Sequence, residues 1–297
     1  MTNIEFLKKL VAVGMRLYYG DKPEKEVKLR ILWELKHIID AEFVDYYVMA
    51  FWIFRHYALS SKITVWPRGA MSSSIVCYCL GLTEVDPLHY GLHSARFVND
   101  KMPKFQFDIE RSRFEEFMKG AEDLLKTNAN SFNIDAIRKC LFQDLSPVDF
   151  LSKKKEEPLP EDIGDELVRY ALRFPQTMDM YDYYVRRKAD GLWTKGIPKL
   201  DEIIAPTCGL LVFQEQMFDI LRQFFHVSGI EANHIRLSIQ RGEVEQVKAY
   251  KKELFADLTG LSDKKAERVW QILTSNPKAF LKAHAVSQVL EYHKYDL

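Results

Sequence analysis

The chain has 297 residues, and its 42 lysines and arginines balance its 42 aspartates and glutamates, so the formal net charge is zero. Because single hydrophobic cores stop growing near ~250 to 300 residues, this length predicts two lobes. The charge balance excludes an overall basic field that would attract nucleic acid, so any site for a polyanion must be a local patch.

The cysteines and the apolar segments bear on the compartment. Four cysteines in a chain of this length are too few for a disulfide scaffold, which indicates a reducing, cytoplasmic location. The longest uncharged stretch, residues 69–83, includes glycine and serine and falls short of the ~20 apolar residues that a membrane span needs. We therefore expect a cytoplasmic protein without a membrane partner.

Apolar residues recur with a helical period along most of the chain. This period predicts a first group of helices at 3–18, 25–40, 44–58, 111–126 and from residue 135 onward. It predicts a second group at 162–172, 178–189, 213–226, 230–240, 243–257, 262–275 and 283–293.

Two segments, KITVW (62–66) and KFQFDIE (104–110), alternate polar and apolar residues and predict strands. One face of the second predicted strand carries Phe105, Phe107 and Ile109. Its other face carries Lys104, Gln106, Asp108 and Glu110. The apolar segment CGLLVF (208–213) also predicts a short strand. Together these patterns predict an α+β fold that is mostly helical, with a small mixed sheet.

The segment SKKKEEPLPED (152–162) combines a run of charges with two prolines, which is typical of a linker. We place the lobe boundary there. The sequence thus predicts a first domain at 1–151, which holds the predicted sheet, and a helical second domain at 163–297.

The segment PRGAMSSS (67–74) joins a predicted strand to an apolar run. Backbone N–H groups at the start of a helix after such a turn can hold an anion. The same small residues also suit close packing between helices. This segment alone leaves both interpretations open.

Several motifs follow one another in order along the chain: PRGAMSSS, TEVDPLHYGL (83–92), MPKFQFDIE (102–110), TCGLLVFQEQM (207–217) and KAHAVSQVLEY (282–292). In this order they resemble the bacterial C-family replicative polymerases, the alpha subunits of DNA polymerase III. The resemblance implies a palm-like, nucleotidyltransferase-like domain at 1–151 and a helical, fingers-like domain at 163–297. It also implies that the family's phosphoesterase and clamp-binding parts lie outside the match, and the 27 residues from Asp108 to Asp135 leave no room for its thumb.

Templated nucleotidyl transfer uses two magnesium ions, which prefer carboxylate ligands. In the family an Asp-x-Asp pair supplies two of them, but the matching positions here are Lys104 and Gln106. The residual candidates are Asp108 and Glu110, as a displaced pair, and Asp135, as a weak match to the third metal carboxylate. We therefore expect no bound metal or other cofactor, with Mg²⁺ as the cofactor only if the chain is active.

The resemblance also implies a nucleotide-binding set, although Ala70 replaces the turn's phosphate-contacting serine and Phe174 replaces a fingers arginine. That set consists of Arg68, Gly69, Ser72, Arg236, Arg241, Lys282 and His284. Clustered basic residues of the second domain predict a phosphate-facing set for nucleic acid. Those candidates are Arg186, Arg187, Lys188, Lys248, Lys251 and Lys252.

Three functional hypotheses follow. The first is a catalytically inactive palm-and-fingers protein that binds DNA, as primer–template or single strand, or a nucleotide. The second is a protein-interaction mimic of the replicative polymerase that binds a replication protein. The third is an active DNA-directed DNA polymerase, working through the displaced carboxylates or completed by another chain.

Overall fold

A computed structural model describes residues 1–128, 132–150, 160–256 and 261–295. The chain divides into two compact units, one from 1–153 with 286–297 and one from 154–285. Residues 152–159 of the predicted linker at 152–162 lie outside the described residues. The second domain was expected to continue to residue 297, but the division between the units falls within the last helix. Residues 286–297 belong to the first unit, where Trp66 Nε1 donates a hydrogen bond to the Ser287 carbonyl at 2.9 Å.

The first unit contains seven α-helices and three strands among its described residues, apart from the end of the last helix. Its helices are α1 (Asn3–Tyr19), α2 (Lys25–Asp40), α3 (Val44–Ala50), α4 (Ala58–Ser60), α5 (Ile75–Cys79), α6 (Phe114–Thr127) and α7 (Ile134–Phe142). Its strands are β1 (Val65–Pro67), β2 (Phe107–Glu110) and β3 (Leu145–Val148). A π-helical segment, Phe51–Tyr57, joins α3 to α4.

Local sequence accounts for where these helices begin. At α1, the Thr2 hydroxyl accepts the Glu5 N–H while the Glu5 carboxylate accepts the Thr2 N–H, a reciprocal cap that satisfies two backbone donors. At α5, the Ser74 hydroxyl accepts the Cys77 N–H at 3.1 Å. Both caps satisfy donors that have no partner within their helix.

The three strands form one mixed sheet with β2 in the centre, antiparallel to β1 and parallel to β3. Phe107 and Ile109 are buried on one face of β2, and the Phe107 ring stacks on Phe54 at a centroid distance of 3.9 Å. The opposite face of β2 carries Asp108, which is paired in register with Trp66 and Ser146. The sheet thus presents one face to the aromatic core and sets the polar residues of β2 on the other.

The described part of the second unit is helical. Its helices are α8 (Ile163–Leu172), α9 (Tyr181–Asp190), α10 (Pro198–Ile204), α11 (Gln214–Phe225), α12 (Gly229–Arg241), α13 (Val244–Ala256), α14 (Asp263–Leu273) and the start of α15 (Lys282–Tyr295). The prediction of an α+β, mostly helical fold with a small mixed sheet is confirmed.

The strand predicted at 208–213 is wrong. The only pairing within it is an isolated bridge between Phe213 and Phe280 among the described residues. The N–H groups of Val212 and Phe213 instead both donate to Gln216 Oε1 at 2.8 Å. A side chain of the following helix therefore takes the donors that a neighbouring strand would need.

Candidate functional site

The residues at the two expected metal positions, Lys104 and Gln106, lie just before the start of β2 at Phe107. Lys104 is exposed, whereas Gln106 is half-buried and packs over the turn that follows β1. A Cβ atom placed on Gly69 would lie 2.0 Å from Gln106 Oε1, and Gly69 has a φ of +74°. The left-handed backbone favours glycine at this turn, whereas the flexible end of the Gln106 side chain could move aside for a Cβ atom.

Asp108 is the buried carboxylate of β2, and it is occupied by an arginine. Arg68 Nε lies 2.9 Å from Asp108 Oδ1, and Arg68 Nη2 donates to the Asp144 carbonyl and to Ser146 Oγ at 2.9 Å each. All these groups lie at the ends or on one face of the three-stranded sheet, because the strand register aligns Asp108 with Ser146. The guanidinium therefore cross-links the strands, in a position where the sequence predicted nucleotide binding.

The other residual carboxylates do not complete a metal site with Asp108. Glu110 accepts a hydrogen bond from the Ser112 hydroxyl at 2.6 Å. Asp135 is on α7, where its side chain is 96% exposed and lies 2.9 Å from Arg138 Nη1. The structure thus places Asp108 in an ion pair and Asp135 on a solvent-facing helix turn.

The segment at 67–74, which we call the serine turn, leads into α5, and the donors at this junction bind a carboxylate of the protein itself. The carboxylate of Glu34, fully buried on α2, accepts hydrogen bonds from the Ser74 hydroxyl at 2.7 Å and from the Ile75 and Val76 N–H groups at 3.2 and 3.1 Å. Arg30 Nε donates to the same carboxylate at 2.8 Å. The start of α5 is therefore satisfied from within the fold, as the helix dipole favours for a negative charge.

Ser72, which was predicted to bind nucleotide, is fully buried, and its hydroxyl lies 3.2 Å from that of Thr83. The neighbouring Ser73 hydroxyl donates to the Ala70 carbonyl at 2.7 Å. These serines close the turn on itself, so a nucleotide would have to displace internal hydrogen bonds to reach Ser72.

The QEQ segment at the start of α11 is likewise an internal network. The buried Glu215 carboxylate accepts the Lys282 and Ala283 N–H groups at 2.9 and 3.3 Å, which satisfies the start of α15. Gln214 Nε2 donates to the Ala279 carbonyl at 2.9 Å, and Gln216 Nε2 donates to Thr207 Oγ1 at 2.7 Å. These polar residues of the motif therefore hold the segment that leads into α15.

Two models of one protein family match the chain. One describes the bacterial DNA polymerase III alpha NTPase domain and matches residues 5–131, and the other describes the finger domain of the same subunit and matches residues 153–260. The chain belongs to the bacterial DNA polymerase III alpha family. The turn at 67–74, β1 and β2 lie within the first matched range, and the QEQ segment lies within the second.

Individual relatives agree with this assignment. The DNA polymerase III subunit alpha of Halalkalibacterium halodurans is 36% identical over 116 residues, which is 38% of this chain and 10% of the relative. Error-prone DNA polymerases of Cutibacterium acnes and Rhodopirellula baltica are 38% and 34% identical over 118 and 121 residues, which is 39% and 40% of this chain and 10% of each relative. The chain thus spans about a tenth of the length of these curated relatives.

The donor set on β2 does not fit the magnesium pair of C-family polymerases. An ammonium group and an amide stand at the two expected positions, and the remaining buried carboxylate is paired with Arg68. Within the described ranges, no group of three or more His, Cys, Asp or Glu residues is placed to hold a metal ion. No described helix is both long and apolar enough to cross a membrane.

The remaining nucleotide candidates belong to the second unit of this polymerase-family chain. Arg236 is buried on α12, where its guanidinium donates to Asn233 Oδ1 at 3.1 Å and to Gln240 Oε1 at 2.6 Å. Arg241 is exposed and lies 3.5 Å from Glu243. The backbone N–H of Lys282 is bonded to Glu215, and His284 packs among aromatic rings with its centroid 5.8 Å from that of Phe280.

Half of the predicted phosphate-facing set is engaged with carboxylates. Lys188 lies 3.0 Å from both Asp165 and Glu161, Lys248 lies 2.9 Å from Glu245, and Lys251 lies 2.7 Å from Glu267. Of the others, Arg186 and Lys252 are exposed, and Arg187 donates to the Gly209 carbonyl at 3.2 Å. Arg186, Lys248 and Lys252 of this set thus face solvent, whereas Arg187, Lys188 and Lys251 are half-buried and have partners within the second unit.

Lys188 belongs to a buried network around Asp165 that sequence reasoning missed. Burial alone would raise the pKa of Asp165, but hydrogen bonds from the Glu161 N–H, Arg169, Tyr184 and Lys188 outweigh it and lower the pKa to about 2. Tyr184 OH donates to Asp165 Oδ1 at 2.8 Å, and its pKa is raised by burial and by this hydrogen bond. The available sequence signal was the spacing of Asp165 and Arg169 by four residues on one helix.

Sequence reasoning also missed a group of cations in the second unit. The pKa of Lys195 is lowered by burial and by the nearby guanidinium groups of Arg187 and Arg268. Arg268 is exposed on α14, which is distant in sequence from Lys195. No local pattern could have paired these residues, because their proximity depends on how the helices pack.

Proposed function

We propose that this chain is a non-catalytic palm-and-fingers protein that binds DNA in the cytoplasm. The proposal that the chain is non-catalytic rests on the residues in and just before β2. Lys104 and Gln106 stand at the positions of the metal carboxylates, and Asp108 is already paired with Arg68 at 2.9 Å.

Electrostatics makes this arrangement unfavourable for metal binding. Replacing two carboxylates with an ammonium and an amide changes the charge from minus two to plus one. A unit charge pair at ~4 Å is worth about 4 kcal/mol at an effective dielectric of ~20. The change in charge therefore removes a favourable interaction with the cation that is many times the thermal energy. A divalent ion would also have to displace Arg68 from Asp108, which would leave the guanidinium without its carboxylate.

Two observations support the DNA-binding part of the proposal. Relatives of this chain are named DNA polymerases, and the chain matches their finger domain over residues 153–260. In that region Arg186 and Lys252 are exposed. Lys195 lies close enough to Arg187, and to Arg268 of α14, for both guanidinium groups to lower its pKa in addition to burial. Such a local group of cations attracts phosphates even where the net charge of the chain is zero.

The test is the salt dependence of DNA binding. Filter binding of a labelled primer–template should weaken about tenfold between about 50 and about 200 mM salt, as expected for about two phosphate contacts. The Arg186→Ala variant should bind more weakly and with a smaller salt slope. An Arg16→Ala variant is the matched control, because Arg16 is an exposed arginine of the first unit with an acidic neighbour, Asp21, at 3.1 Å.

A flat salt response, or equal effects of the two arginine variants, would contradict DNA binding by the second unit. If the protein then recovered replication proteins from a DNA-free extract, it would instead be an interaction mimic of the polymerase.

A further inference from the structure

A group of four aromatic rings lies in the second unit, beside the start of α15. Phe174 lies 4.7 Å from Phe280 between ring centroids at an interplanar angle of 31°, and 5.4 Å from Tyr170. His284 lies 5.8 Å from Phe280 and 6.3 Å from Tyr170. Phe280 is buried, whereas Phe174, Tyr170 and His284 are only half-buried. We call these four rings the aromatic platform.

The aromatic platform is fixed from both sides. The Phe174 carbonyl accepts the Thr177 and Met178 N–H groups at 2.9 and 2.8 Å, which closes the turn after α8. On the other side, the Phe280 N–H donates to the Val212 carbonyl at 2.7 Å, and the Phe280 carbonyl accepts the Gln214 N–H at 2.8 Å. The QEQ segment thus positions a ring of the platform through the backbone, so little ordering is left to occur on binding.

The surroundings of the platform suit one class of ligand. Half-buried aromatic faces stack on nucleobases without selecting a sequence, because every base has a π-face. The Arg173 guanidinium lies 5.7 Å from the centre of the Tyr170 ring and is exposed, so a cation adjoins the rings. Rings beside a cation match the alternation of bases and phosphates along a single strand.

We propose that the aromatic platform stacks unpaired bases of single-stranded DNA. This inference rests on the proposed function and specifies the form of DNA that the chain binds. Base stacking on Phe174 and Tyr170 supplies affinity that does not depend on phosphate charge, in addition to the salt-dependent contacts of the second unit.

The experiment compares two labelled strands of about 12 nucleotides, oligothymidylate and an abasic strand with the same phosphates, by fluorescence anisotropy at about 50 mM salt. The full chain should prefer oligothymidylate by about tenfold. Phe174→Leu, which keeps an apolar side chain and removes the ring, should abolish this preference and leave abasic binding unchanged. Unchanged abasic binding also shows that the variant is folded.

The matched control is Phe255→Leu. Phe255 is another half-buried ring of the second unit; it lies 6.0 Å from Phe225 and 6.1 Å from Trp270, with Lys251 Nζ 5.3 Å from its centre. It therefore has aromatic and cationic neighbours similar to those of Phe174, and its loss should leave the tenfold preference intact.

The outcomes separate the two proposals. Equal affinity for the two strands would overturn the aromatic platform alone, as would a preference that Phe174→Leu retains. Equal loss in the Phe174→Leu and Phe255→Leu variants would also overturn it. Displacement of oligothymidylate by an equimolar amount of thymidine monophosphate would show that the rings bind a free nucleotide, and it would overturn the proposal that they bind a single strand. Binding of neither strand would overturn both the platform and the proposed function.

Discussion

At the serine turn of the first unit and at the QEQ segment of the second unit, a buried carboxylate accepts the first backbone N–H groups of a helix. The residues around that carboxylate differ between the two regions. Each region depends on a buried glutamate whose carboxylate accepts two backbone N–H groups at the start of a helix: Glu34, which lies on α2, for α5, and Glu215, which lies in the QEQ segment, for α15. Glu34 is also bonded to Arg30 at 2.8 Å. In both regions a polar residue that could serve a ligand is used to complete the fold.

The two regions differ in what surrounds the glutamate. Around the serine turn, the residues expected for chemistry are altered, since Lys104 and Gln106 stand at the metal positions. In the QEQ segment, the motif residues are present and satisfy the backbone of residues 212, 213, 279, 282 and 283. A family motif therefore does not by itself indicate an active site, because its residues can be required for folding alone.

The largest effect that distinguishes the two regions should come from removing each glutamate. Glu34→Ala should lower the free energy of unfolding by about 4 kcal/mol, because it leaves the half-buried Arg30, the buried Ser74 hydroxyl and two buried backbone donors without their carboxylate. Glu215→Ala should lower it by about 2 kcal/mol, the cost of leaving backbone donors unsatisfied. Urea unfolding followed by circular dichroism measures both.

Conservative variants serve as controls for these substitutions. Glu34→Gln and Glu215→Gln retain an acceptor oxygen, so each should lose less stability than the matching alanine variant. A larger loss for Glu215→Ala than for Glu34→Ala would contradict the distinction drawn between the two helix starts.

An effect smaller than that of Glu34→Ala should come from Asp165, whose network of hydrogen bonds stabilises the second unit. The pKa of Asp165 is about 2 in the folded protein and near 3.8 in the unfolded chain. The ionised carboxylate therefore stabilises the folded state above about pH 4, and this contribution to the free energy of unfolding is lost as the pH falls towards 2. The shift is worth about 2 kcal/mol at neutral pH. Asp165→Asn should remove that amount and flatten the dependence of unfolding between pH 4 and pH 2.

The control for this pH dependence is Asp182→Asn, which replaces an exposed aspartate of α9. Its pH profile should follow that of the unmodified protein. If Asp165→Asn and the unmodified protein lost stability in parallel between pH 4 and pH 2, the network around Asp165 would not be the source of the effect.

Periodicity in the sequence located most helices and the two strands that alternate, because burial on one face imposes that pattern. It did not locate β3, since LSPV contains a proline and lacks alternation. It failed at residues 208–213 because the Gln216 side chain, rather than a strand, takes the backbone donors. Patterns of this kind report burial and do not report which group satisfies a backbone amide.

The candidate site was predictable only in part. The alternation around Asp108 placed it correctly on the polar face, but its pairing with Arg68 depends on the register of three strands. Glu34 lies in the middle of α2 and its partner Ser74 is 40 residues away, so no local pattern joins them. Long-range contacts of this kind decide whether a motif residue is available to a ligand.

The most direct test of the account is a manganese and magnesium titration of the purified protein with a primer–template and a labelled nucleotide, following metal binding and primer extension in the same samples. We expect no extension and no binding of either metal beside β2, because Lys104 and Gln106 replace the metal ligands and Arg68 is paired with Asp108. Reproducible extension that is lost in the Asp108→Ala variant would contradict it and show that the displaced carboxylates catalyse nucleotidyl transfer.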